Sequence, residues 1–139
     1  MILGIYYKIW VDGITKLRSI PANKGMWKFY LITLVSMAMA MNLALFMAIL
    51  QRNILKFYFY DLDINIFHEQ KLNSFFSFFF LYLFFPLLIN YFLIFRNNRY
   101  EKLIHKYKSY NGKLCSTYLV ISFLLPFFLI LIAVLLRSI

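Results

Sequence analysis

The chain has 139 residues, 63% of them hydrophobic and 22% aromatic, and only 14% carry a charge. An ordinary soluble domain is charged at about a quarter of its positions. This composition therefore excludes a soluble globular domain, a disordered tail, a disulfide scaffold and a free nucleic-acid-binding protein. The net charge of +10 comes from blocks of basic residues separated by three charge-free runs, the pattern of an integral membrane protein.

Residues 1–20 come first. Leu3, Tyr6, Trp10, Ile14 and Leu17 share one helical stripe, widened by Ile2, Ile5 and Ile9, and Lys8, Asp12 and Lys16 fall at i, i+4, i+8 on another. Charges interrupt the stretch too often for a signal peptide. The spacing predicts an amphipathic helix lying in the membrane interface, with Trp10 and Tyr6 at headgroup depth and Lys8, Lys16 and Arg18 on headgroups. A helix packed on a partner's soluble domain is the second reading. Pro21 and Gly25 separate this helix from the first charge-free run.

The charge-free runs are 29–51, 72–95 and 114–136, each of 23 or 24 residues. At about 1.5 Å per residue each measures about 35 Å, enough to cross a hydrocarbon core of about 30 Å. The predicted fold is an all-α integral membrane protein, one domain over 1–139, with an N-terminal amphipathic interfacial helix plus three transmembrane helices. The first span carries a small residue at every fourth position, Ser36, Ala40, Ala44 and Ala48, a pattern that lets helix backbones approach closely in lipid. Pro86 and Pro126 predict kinks in the second and third spans, freeing the carbonyls of Tyr82 and Ser122. Asn42 and Asn90 are costly in hydrocarbon and need partners on neighbouring helices.

The loops set direction. With three spans, the N-terminal segment and the loop 96–113 share a side and hold eleven basic residues, against four on the other side. The positive-inside rule makes the first side cytoplasmic, so the C-terminus and the outer loop 52–71 face the periplasm. A mitochondrial inner membrane fits the same rule. Within 96–113, Tyr100, Leu103, Ile104 and Tyr107 share a face, which predicts one or two turns continuing the second span, with Asn111-Gly112 as a stop signal. Arg96, Arg99, Lys102, Lys106 and Lys108 are placed on anionic headgroups. In the outer loop, Leu62, Ile64 and Ile66 alternate with polar residues, suggesting a short extended segment.

Chemistry is scarce. Asp61, Asp63 and Asn65 begin like a calcium loop, but Ile66 and Leu72 stand where Gly and Glu are needed, so no metal site is expected. His68 and His105 lie in loops on opposite sides, which leaves no pair for a haem, and no cofactor is predicted. The plan of a surface helix plus three spans is similar to that of the small bacterial diacylglycerol kinases. The resemblance is architectural, and the carboxylates that such chemistry needs are absent from the spans, so no catalytic residue is predicted. Cys115 reads as a small buried apolar side chain.

These features predict a non-catalytic accessory or assembly subunit of a larger inner-membrane complex, of respiratory or secretion type. Its partners would be other membrane subunits, docked through the Ser36/Ala40/Ala44/Ala48 strip, and anionic phospholipids, with no nucleic acid. A homo-oligomeric channel or small transporter lined by Asn42 and Asn90 is the alternative.

Overall fold

A computed structural model of the chain describes residues 1–138. Its regular structure is all helical, with no strand among the described residues. Helix α1 spans Ile2–Ser19, α2 Trp27–Ile49, α3 Gln70–Phe78, α4 Phe84–Asn90, α5 Arg99–Lys106 and α6 Lys113–Arg137. Three helical stretches are long and apolar enough to cross a membrane: the one opening with α2, the one built from α3 and α4, and α6.

The first span extends past α2 through a π-helical turn at Leu50–Leu55 and stops at Lys56, whose left-handed backbone ends it. The second is interrupted by π-helical turns at Phe79–Leu83 and Tyr91–Phe95. The earlier turn ends at Leu83, three residues before Pro86, which lies inside α4. In α register a missing N–H at 86 frees Tyr82. The Tyr60 hydroxyl donates to the carbonyl of the residue before it, Leu81. Pro126, by contrast, sits inside an uninterrupted α6.

The cytoplasmic-loop expectation needs two corrections. Asn97 and Asn98 both adopt positive φ, 54° and 53°, so α5 is a separate helix after a break and does not continue the second span. Asn is among the few non-glycine residues that enter this region readily. Asn111 and Gly112 also have positive φ, but they stand at the start of α6, with Gly112 as its N-cap. A Cβ on Gly112 would lie 2.7 Å from Lys16 Cγ on α1, so both the turn and the neighbour demand glycine there.

α1 occupies the expected residues. The helix forms, but Trp10, Val11, Asp12, Gly13 and Ile14 are all buried. Five consecutive buried residues cover every side of a helix, so this middle stretch packs inside the bundle and the exposed side chains of α1 lie toward its two ends. α1 runs antiparallel to the first half of α2. Gly13 packs on Leu31 and Cys115, while further down Ile2 and Ile5 share a groove with Val35 and Met39. A Cβ on Gly13 would lie 2.8 Å from both Cys115 Sγ and a Leu31 methyl. Gly13→Val should therefore loosen α1 by about 1–3 kcal/mol, lowering the unfolding midpoint in an SDS titration.

Aromatic side chains close the basic end. Trp10 meets Phe95 edge-on at 5.5 Å, and Trp27 meets Tyr100 at 5.4 Å. Tyr7 stacks on Tyr107 at 5.9 Å. Each such pair contributes about 0.5–1.5 kcal/mol beyond area burial. The far end is open: every residue of α6 from Phe127 to Leu136 is exposed.

Candidate functional site

The residues able to do chemistry or recognition converge at two polar junctions, and α1 contributes to both. At the first, α6 begins with Gly112, which has no side chain to satisfy the helix's first N–H groups. Asp12, about a hundred residues earlier in the chain, does so instead. Its Oδ2 accepts from the N–H groups of Leu114 at 2.8 Å and Cys115 at 3.1 Å. Its Oδ1 accepts from Gly112 N–H at 2.9 Å, from Tyr110 N–H and from the Ser109 hydroxyl at 3.2 Å. A carboxylate at this position caps the helix from outside and faces the positive end of its dipole.

Electrostatics at Asp12 pull in both directions. Burial raises its carboxyl, and the backbone donors of Cys115, Gly112, Tyr110 and Leu114 lower it. The donors prevail, and the group titrates below its ordinary 3.8. Asp12 is therefore an anion at neutral pH.

The second junction centres on Asn90 of α4, which is fully buried. Its Oδ1 accepts from the Tyr6 hydroxyl of α1 at 2.6 Å, and its Nδ2 donates to Ser36 Oγ of α2 at 2.7 Å. One amide thus joins three helices. Asn42 Nδ2 donates to Ser122 Oγ at 2.9 Å, joining α2 to α6. The two asparagines do not bond each other; Asn90 serves α1 and α2, and Asn42 serves α6.

The small-residue strip divides along its length. Ser36 and Ala40 are fully buried inside the chain, so that half of the strip packs the protein's own helices and is closed to a partner. Ala44 is half-buried and Ala48 exposed.

The basic residues placed on headgroups scatter around the basic end. Lys16 reaches Asn111 Oδ1 at 3.5 Å. Arg18 pairs with Glu101 at 3.2 Å in an exposed contact, worth about 0.2–1 kcal/mol at most. Lys8 is half-buried, whereas Lys102 and Lys108 are exposed. Arg96 lies over the Phe92 ring, Arg99 reaches the Phe92 carbonyl at 3.5 Å, and Lys106 lies over Tyr107. Trp10 packs inside the bundle. It is fully buried against Phe95, and its Nε1 is the one buried side-chain nitrogen or oxygen without a partner among the described residues.

Around the loop 52–71 polar residues tie down backbone. Gln51 Oε1 accepts from Phe59 and Tyr60 N–H, each at 3.0 Å, and Asn73 both donates to and accepts from Phe67. Asp61 Oδ1 accepts from Leu62 N–H at 2.9 Å. No group of three or more His, Cys, Asp or Glu side chains able to hold a metal ion occurs among the described residues.

Sequence reasoning missed Asp12. Its acceptor role is invisible in side-chain spacing, because the donors are backbone groups of a distant turn. A signal was nonetheless present: Asp-Gly in mid-helix is unfavourable by propensity and needs a packing reason. The chain matches no family model, and it matches no curated protein and no solved structure.

Proposed function

We propose that this protein is a non-catalytic subunit of a larger membrane assembly, a three-span protein whose buried polar groups serve structure. The observation that carries this reading is how those groups are used. The buried polar or charged residues are Asp12, Ser36, Gln51, Asn90 and Ser122, and each is engaged by another group of the same chain. Asn90, which a pore would need at its wall, is enclosed between helices.

The reading places the N-terminal segment and α5 on the cytoplasmic side of a bacterial inner membrane or its organellar equivalent, following the basic residues. Lys102, Lys106 and Lys108 rest on anionic headgroups there. The docking face for a partner subunit is the outer half of α6, on the side that carries Leu131 and Leu135.

Photo-crosslinkable residues at Leu131 and Leu135 test this in cells. The expected result is one discrete adduct with another integral membrane protein, absent when the probe stands at Phe75 or Phe84. A chain that purifies as a monomer from mild detergent, with crosslinks spread evenly over all exposed apolar positions, would refute the proposal.

A further inference from the structure

Helices α2 and α6 touch at the Asn42–Ser122 hydrogen bond and leave a furrow between them beyond it. Its inner stretch, about 460 Å³, runs along Leu45, Ile49 and Leu129 from the Asn42–Ser122 contact. The same three residues line a second stretch of about 360 Å³, which ends at Arg52 and Arg137 with Ala48 and Ala133 beside it. The furrow is thus continuous, apolar along its length and doubly cationic at its mouth. From Ser122 to Arg137 is fifteen residues of α6, or about 22 Å of helix. The half-thickness of a hydrocarbon core is about 15 Å.

We infer that this furrow binds one anionic phospholipid, with its phosphate between Arg52 and Arg137 and an acyl chain laid along α2 and α6. Arg52 and Arg137, 85 positions apart in the sequence, both line that mouth, where two cations favour an anion beside them. Among the described residues the only ion pair is Arg18–Glu101, at the opposite end. The acids nearest in sequence to Arg52, Asp61 and Asp63, line a different cavity at the start of α3. Guanidinium groups suit a phosphate diester, which they bind through several N–H donors at once. Below the headgroup, an empty gap between two helices forfeits dispersion contacts, and a flexible acyl chain fills it. Ala48 and Ala133 leave room where larger side chains would close the furrow. The site is separate from the basic face that rests on cytoplasmic headgroups, and it stands whether or not a partner docks on α6.

Native mass spectrometry of the full chain in non-ionic detergent, titrated with dioleoylphosphatidylglycerol or dioleoylphosphatidylcholine, tests it. One phosphatidylglycerol should be retained per chain, about tenfold more tightly than phosphatidylcholine. Arg52→Gln with Arg137→Gln should weaken retention about tenfold. Ala48→Phe with Ala133→Phe, which keeps both arginines but fills the furrow, should weaken it by a similar factor. Lys71→Gln, an exposed cation outside the furrow, should leave it unchanged. Slow alkylation of Cys115, buried at the basic end, verifies that each variant is folded. Wild-type retention in either furrow variant would overturn the proposal. So would an equal loss in the lysine variant, or a probe at Ala48 that crosslinks to another protein's helix in the membrane.

Discussion

Asp12→Ala should release α1 from the bundle, with Cys115 as the reporter. Cys115 is 4% exposed, its Sγ lies against Gly13, and its N–H is bonded to the Asp12 carboxylate. Removing that carboxylate strands four backbone N–H groups and a hydroxyl at the head of α6. Breaking a buried, hydrogen-bonded charge site costs about 3–5 kcal/mol, and every 1.4 kcal/mol is about tenfold in an equilibrium. Maleimide should therefore label Cys115 at least about a hundredfold faster in Asp12→Ala. Asp12→Asn should fall between the two, because one oxygen remains while the amide nitrogen faces the N–H donors of Leu114 and Cys115. Labelling of Asp12→Ala at the wild-type rate would mean that α1 is held by its apolar contacts alone.

The pH dependence has a definite sign. The Asp12 carboxyl is depressed in the folded protein, so its stabilisation is complete above the unfolded value and is lost as pH falls through the folded value. Cys115 protection in the wild type should be flat through the neutral range and decline only in acid below 3.8, the ordinary value for Asp. In Asp12→Asn that acid limb should disappear. α1 is thus a permanently docked element at physiological pH.

The three long helices are legible because their cause is local: an uncharged run of sufficient length declares itself in the sequence. α1 shows where such reading stops. Lys8, Asp12 and Lys16 at four-residue spacing look like a solvated stripe, and for Lys16 the stripe holds, since its ammonium reaches only the exposed Asn111. Asp12 differs because the groups it serves are backbone N–H donors in a turn near residue 112, and backbone donors leave no trace in residue identity. The same limit applies at Asn97 and Asn98, where two polar residues read as the surface of a continuing helix but instead break it. The strip on α2 was visible as a close-packing surface. Which helix would use it was not, because the pattern is the same for a partner and for the chain's own α4 and α6.

Asn90→Leu should produce the largest loss of stability of any single change within the spans. The substitution is close in volume, so it tests polarity more than packing. It removes the bond from Tyr6 and the bond to Ser36, and it leaves two hydroxyls facing an apolar side chain. Interhelical polar contacts in membranes contribute about 0.6–2 kcal/mol each, and an unsatisfied hydroxyl adds about 1 kcal/mol or more. A total of at least about 3 kcal/mol should appear as a lower SDS-unfolding midpoint for the purified full chain. Asn42→Leu should cost only about 1 kcal/mol, because Asn42 is half-buried and serves the single partner Ser122. Tyr6→Phe combined with Asn90→Leu should be less destabilising than the sum of the two, since both remove the same bond. Additive losses would place Tyr6 and Asn90 in separate roles, and an unchanged midpoint in Asn90→Leu would free that amide for a role in recognition. Coupled losses make Asn90 the group that fixes how α1, α2 and α4 meet.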